Sequence, residues 1–438
     1  MKKQWSLILA LLLAASAASA QDRTPTVPAL MEDDRMVTPT PVNIQAYPMS
    51  FAAEEPRSNY LSGAISIGGG YDDNIFMSTP QIHDVNYTLS PSMAIRQSRS
   101  LLRWDLRYSP EFTFYQNHNS YDQIGHNFAA FAEYRLSPHV TVSLNDALIR
   151  TSNLLGQLYQ DSTNNGSNGA PAPPDVIIAP LADRLSNVGS AQITYQFALN
   201  GMVGASGTFS QLHYLNRDQA PELFDSSGRA ATAFYTNRLS GRHYVGASYT
   251  FQDLLASPGN AETQTNSIIL FYTFYLNSTS SFAVFAGPEH STTNVAVSSR
   301  FAMWSPAAGV SFGWRGAHTS FTANVSRRIS EGGGLAGAVR SEKADASLRR
   351  QLTERWAVGF DGDYAKNTFL QSLSSATGGH TFSLNASISR WLGQHLVLRL
   401  GYTRLQQNYD DLAPPTPSAN RNRAVASLAY QFERSLGR

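Results

Sequence analysis

The stretch LRWDLRYSPEFTFY, residues 102–115, sets Leu102, Trp104, Leu106, Tyr108, Phe112 and Phe114 in alternation with Arg103, Asp105, Arg107, Glu111 and Thr113. Successive side chains of an extended chain point to opposite faces, so this period of two gives one strand an apolar face and an ionisable one. The preceding segment repeats it, with Val85, Tyr87, Leu89, Met93 and Ile95 against Asn86, Thr88, Ser90, Ser92 and Arg96. Near the end of the chain, Phe382, Leu384, Ala386 and Ile388 alternate with Ser383, Asn385, Ser387 and Ser389. Leu396, Leu398, Leu400 and Tyr402 do the same beside Arg399 and Thr403. Helical periodicity is absent beyond the first twenty residues. The chain reads as all-β.

The links between strands sharpen that reading. Compact links fall at 96–100, 136–139, 199–201, 239–242, 276–280, 314–317, 352–355 and 391–394. Longer polar links rich in Gly, Pro and Asn fall between them, at 71–84, 116–123, 151–184, 216–228, 254–263, 288–301, 330–339, 366–379 and 406–422. An up-and-down barrel in an outer membrane has this rhythm, with tight turns on the periplasmic side and longer loops outside. The links predict a transmembrane antiparallel up-and-down β-barrel of about eighteen strands, with sixteen also compatible. A soluble sandwich or propeller is the competing reading.

Composition fits two-faced strands. Of 438 residues, 15% are charged, against about 25% in a soluble globular protein. Mean hydropathy is nevertheless below zero, which excludes a bundle of apolar helices. Half of each membrane strand avoids charge while half faces water, and both observations follow. The 33 basic residues are matched by 32 acidic ones, without the basic face that nucleic-acid binding requires. The absence of Cys excludes thiolate metal sites, Cys nucleophiles and disulfides.

Lys2 and Lys3, an apolar run over 7–15 and the small residues Ala18, Ser19 and Ala20 predict a signal peptide over 1–20. Residues 21–58 carry Pro25, Pro28, Pro39, Pro41, Pro48 and Pro56 without any period, and read as a flexible periplasmic segment. The barrel is expected over 59–438. Trp104, Trp314, Trp356 and Trp391 lie near compact links and Trp304 beside a long one, as expected of two aromatic girdles at the lipid headgroups. Ala424, Ala426, Leu428, Tyr430 and Phe432 alternate close to the C-terminus, as in terminal strands handed to the barrel assembly machinery. The expected surroundings are outer-membrane lipid and lipopolysaccharide.

YDDNIF (71–76), LSPSMAI (89–95), LRYSPEFTFY (106–115) and YRLSPHVTVSLNDALIRTSN (134–153) carry a further signal. Over roughly residues 60–155 the chain resembles a family of β-barrel porins encoded beside exopolysaccharide export genes. The resemblance implies an outer-membrane barrel with a role in polysaccharide export, and saccharide as cargo. It brings no catalytic residue.

A barrel of about eighteen strands is wide enough for an aqueous channel. Candidate lining residues are Arg103, Asp105, Arg107 and Glu111; Glu133 and Arg135; Lys343, Asp345 and Arg349; Asp361 and Asp363; and Arg399. Six are basic and six acidic, which predicts weak charge selectivity or charges paired as structural bridges. The link at 151–184 is a candidate constriction or a surface cover. Gly309 to Gly313 spells GxSxG, but within a strand rather than an elbow. Gly332 to Gly337 spells GxGxxG with no helix after it. Asp72, Asp73 and Asn74 read as a turn rather than a Ca²⁺ site, Glu289 and His290 as the surface of a link, and no HExxH is present. No metal or cofactor is expected. A pore for polar solutes leads; a membrane-embedded lipid hydrolase or acyltransferase, and a closed structural or adhesive barrel, remain alternatives.

Overall fold

The computed structural model describes residues 59–77, 80–152, 183–215, 224–257, 261–295, 299–331, 338–370, 378–409 and 419–436. The expected signal peptide, the Pro-rich stretch, nearly all of the 151–184 link and the glycine-rich 332–337 lie outside these residues. The first nine strands are β1 (Tyr60–Asp72), β2 (Asp84–Ser98), β3 (Leu102–Tyr115), β4 (Gln123–Arg135), β5 (Val140–Thr151), β6 (Arg184–Ala198), β7 (Gly201–Tyr214), β8 (Asp225–Ser240) and β9 (His243–Ser257). The second nine are β10 (Ala261–Tyr275), β11 (Ser280–Val295), β12 (Ser299–Arg315), β13 (Thr319–Glu331), β14 (Ala338–Gln351), β15 (Trp356–Phe369), β16 (Gly378–Trp391), β17 (Leu396–Tyr409) and β18 (Ala419–Ser435). Each pairs antiparallel with its neighbours in sequence, and β18 pairs with β1 from Tyr60↔Ser435 to Asp72↔Arg423. The sheet therefore closes on itself, as the alternation of links predicted. Closure removes the edges at which unpaired N–H and C=O groups would otherwise be stranded.

Register carries one face of each strand around the wall. Ile67 stands opposite Leu89, Leu89 opposite Phe112 and Phe112 opposite Ile124, and Ile67, Leu89 and Ile124 are exposed. On the other face of the same strands Asp72, Asn86, Asp105 and Thr113 are buried. The apolar face is therefore the outside, and the polar face lines the interior.

Eight turns of two to four residues join strands at one end, where the compact links were expected. At the opposite end two expected long links shrink. β9 runs to Ser257 and β10 starts at Ala261, while β11 runs to Val295 and β12 starts at Ser299, leaving three residues in each gap. Here the strands continue through residues that are polar on both faces, such as Glu262, Gln264 and Asn266 beside Thr263, Thr265 and Ser267. Glu289 and His290, expected on the surface of a link, are instead within β11, and Glu289 is only 2% exposed.

Prolines punctuate the wall in opposed pairs. The β2–β3 ladder skips from Leu89↔Phe112 to Met93↔Tyr108, the interval that holds Pro91 and Pro110. Pro288 and Pro306 stand opposite each other on β11 and β12, and there the outer ladders suffer instead. The β10–β11 ladder skips from Ser267↔Glu289 to Leu270↔Ala286, and the β12–β13 ladder stops at Ala308↔Arg327. A residue of an antiparallel strand directs its N–H to one neighbour only, so a proline removes a bond on that side alone.

The YDDNIF turn fastens the seam. The Asp72 carboxylate accepts from Arg421 Nε at 2.9 and 3.0 Å and from Nη2 at 2.6 Å. Asp73 accepts from the Asn422 backbone N–H and side-chain amide, each at 2.6 Å. The Asn74 amide donates to the Asn420 carbonyl at 3.1 Å, and Ile75 and Met77 are buried beneath the turn. The next link packs on this one, the Phe76 ring meeting His118 and Tyr121 edge-on at 5.7 and 4.6 Å. Asp84 holds it from below, accepting from His118 Nδ1 at 2.8 Å and from the Asn117 backbone.

Candidate functional site

All twelve charged candidates share the interior face. Asp105 and Arg107 of β3 stand in register with Arg96 and Ala94 of β2, and Arg103 with Glu133 of β4. Asp345 of β14 stands opposite Asp363 of β15, and Arg399 of β17 opposite Ser389 of β16. One group lies on β3 and β4, a second on β14 and β15, and Arg399 stands on β17.

Most of these side chains are engaged. Asp105 accepts from Arg96 Nε at 2.7 Å and from Arg107 Nε at 2.8 Å, while Arg96 Nη2 approaches it to 2.6 Å. Arg103 places its guanidinium over the Phe131 ring at 5.5 Å. Glu111 accepts from Thr113 Oγ1 at 3.4 Å, and Glu133 meets Arg135 at 4.0 Å. On the second group, Arg349 donates to both oxygens of Asp361 at 3.0 and 3.2 Å, and Ser347 adds a bond of 2.7 Å. Asn324 donates to Asp345 at 2.7 Å and Ser383 to Asp363 at 3.2 Å. Lys343 stands opposite Ala365.

Burial separates these charges into two kinds. Arg96 and Asp105 keep less than a tenth of their side-chain area exposed, whereas Arg107, Glu133, Arg349 and Arg135 keep 26%, 30%, 31% and 41%. The second set borders water inside a closed wall. A circular barrel of this strand number would measure about 35 Å between opposite backbones. The inner faces of β9–β12 differ, being buried and rich in hydroxyls, with Thr250, Thr263, Ser267, Ser291 and Ser305 among them.

Sequence periodicity placed Arg96 on the polar face but assigned it to a link; its pairing with Asp105 follows from register. Arg421 and Arg423, both buried at the seam, were not singled out. Their signal was the polar face of the last strand, read only for its aromatic face.

The tryptophans divide. Trp104, Trp304, Trp314 and Trp356 share the outward face with the exposed apolar residues, and Trp104 Nε1 donates to Gln97 at 3.1 Å. Trp391 lies on the inner face, opposite Val397, a residue 1% exposed. Its place in the outer girdle is thus corrected: it is one residue away from the outward parity. Tyrosines also stand on the outward face, with polar partners. Tyr108, Tyr249 and Tyr402 bond through their hydroxyls to His126, Asn266 and Asn422 at 2.7 to 2.9 Å. Such residues suit a boundary at which an apolar ring body meets lipid and its hydroxyl meets water. In vesicles of bromine-labelled lipid, the fluorescence of Trp104, Trp314 and Trp356, each studied as the only remaining tryptophan, is expected to be quenched at least twofold more strongly than that of Trp391. Equal quenching would contradict the assignment of faces.

The GxSxG serine, Ser311, lies mid-strand in β12, paired with Ala283 and Asn324, and no elbow presents it. Among the described residues no group of three or more His, Asp or Glu side chains is arranged to hold a metal ion.

No protein-family model matches the chain, and no curated protein matches it in sequence. Solved structures do. Pseudomonas aeruginosa OccK2 (OpdF) is similar at 9% identity and a TM-score of 0.45, over 86% of this chain and 98% of its own. The outer membrane protein OpdK of the same organism is similar at 8% identity and a TM-score of 0.42, over 85% and 99%. The ferric citrate transporter FecA is similar at 11% identity and a TM-score of 0.44, over 84% and 64%. The closed eighteen-strand meander stands on this chain's own pairings.

Proposed function

We propose that the chain is an outer-membrane pore for polar solutes, with saccharides as the cargo class. The observation that carries this reading is the water-exposed charged lining of β3, β4 and β14, enclosed by a wall whose outer face is apolar. A soluble barrel would have no use for that outer belt, since large contiguous apolar surface is costly in water. The near balance of basic and acidic side chains on the lining favours neutral or zwitterionic solutes over a selected ion. Hydroxyl-rich inner faces on β9–β12 supply donors and acceptors of the kind that suit sugars. The sequence resemblance to barrels encoded beside exopolysaccharide export genes supports saccharide movement and leaves its direction open.

The mechanism is diffusion along a polar lining whose width is set by the wall and its inward side chains. The buried Arg96–Asp105 pair holds β2 to β3, and Arg107 presents its remaining donors to the lumen. Proteoliposomes containing the full chain are expected to swell in glucose and maltose, with rates falling as the sugar lengthens. Absence of swelling in every sugar, with the barrel folded, would sink the proposal.

A further inference from the structure

β12 continues seven residues beyond Pro306 toward the loops, yet its ladder with β13 stops at Ala308↔Arg327. Carried two residues further, that register would set Pro306 against Ile329, and Pro306 has no N–H to give. The Ile329 N–H donates instead to Glu289 of β11, at 3.1 Å. Ile329 itself is buried against Leu254 of β9 and Ala338 of β14, with Leu370 beside them. β9 and β13 are four strands apart, about 20 Å along a regular wall. Contact between them requires the end of β13, with the start of β14, to have left the wall and turned into the barrel.

That departure leaves a slot. Among the described residues, 299–307 of β12 have no ladder partner on the β13 side. Residues 308–315 raise the lower end of the slot about 20 Å above the tight turn, within an apolar band about 25 Å tall. Outside, Trp304 borders the slot, 72% exposed with its ring 4.7 Å from His290, and exposed Val310 and Val325, paired with each other, lie just below its lower end. On the inner face, the adjoining wall of β10–β12 carries the buried Glu289 carboxylate and the hydroxyls of Thr265, Ser267, Ser291 and Ser305. The Thr265 and Ser305 hydroxyls make no hydrogen bond. Buried hydroxyls without partners are costly, so the inward arrangement favours either a ligand or an opening at this point.

An apolar rim outside and a hydroxyl-bearing wall inside match one kind of molecule. We infer that the β12–β13 slot is a lateral route for an amphiphile with a hydroxyl-rich head and a hydrocarbon tail, the head lying on the inner wall of β10–β12 while the tail leaves between β12 and β13. The inward end of β13 and β14 is the leaf that covers it. This rests on the reading of the barrel as a membrane protein, but not on the passage of free sugars.

Photolabelling of the full chain in vesicles tests it, with dodecyl maltoside carrying a diazirine in its tail as the probe. Labelling per exposed residue is expected to be at least fivefold higher on 299–307 and 322–331 than on the outward face of β16 and β17. Labelling spread evenly around the outward belt would overturn the inference. Swelling of the same vesicles in maltose reads the pore proposal separately. Swelling with even labelling removes the slot alone, and enriched labelling without swelling removes the pore alone.

Discussion

Replacing Asp72 by Ala is expected to lower the stability of the folded barrel by about 3–5 kcal/mol, the cost of leaving one member of a buried ion pair uncompensated. Asp72 is fully buried and Arg421 is 4% exposed, and three N–H···O contacts of 2.6 to 3.0 Å join them. The pair closes the loop-side end of the β1–β18 seam. Its loss should appear as a lower urea midpoint for the conversion from the compact to the slow-migrating gel form. The double replacement Asp72→Leu with Arg421→Met should recover most of the loss, because an apolar pair of similar volume carries no desolvation penalty. A single replacement that left the midpoint unchanged would mean that the seam does not depend on this clamp.

Asp105→Ala is expected to act on both stability and selectivity. Asp105 stands between Arg96 and Arg107, at 2.6 and 2.8 Å. Without the carboxylate two guanidinium groups face each other on the lining of β2 and β3, and Arg96 is buried without its main compensating charge. The stability cost should be about 3 kcal/mol. Local charge rises by one unit, so the reversal potential under a salt gradient should move toward anion preference. Arg96→Met with Asp105→Leu should restore the midpoint and remove much of the anion preference. An unchanged reversal potential in Asp105→Ala would show that ions do not pass this group.

The strands that cross the apolar belt were legible because the outer and inner faces of a closed wall impose opposite chemistry on alternate residues, as in 102–115. Toward the loop-side limit of the belt the outward face turns polar as well, so the contrast that reveals a strand fades. For that reason residues 261–263 and 289–295 read as links, although they belong to β10 and β11. Charge partners were less legible than charged residues. Arg96 and Asp105 each follow from periodicity within one strand, but their pairing depends on the register between two. Asp72 and Arg421 are 349 positions apart and meet only because the sheet closes. Trp391 illustrates a third limit: it ends β16 beside a turn, where a shift of one residue exchanges inside for outside. The departure of β13 from the wall follows from Pro306, a residue the sequence displayed openly. Its effect depends on which neighbour the missing N–H would have served.

The most direct test is the current through single copies of the refolded chain in a planar bilayer. The account predicts discrete conductance steps with weak preference between K⁺ and Cl⁻, and a shift toward Cl⁻ in Asp105→Ala. A folded barrel that inserts and carries no current at any applied voltage would contradict it.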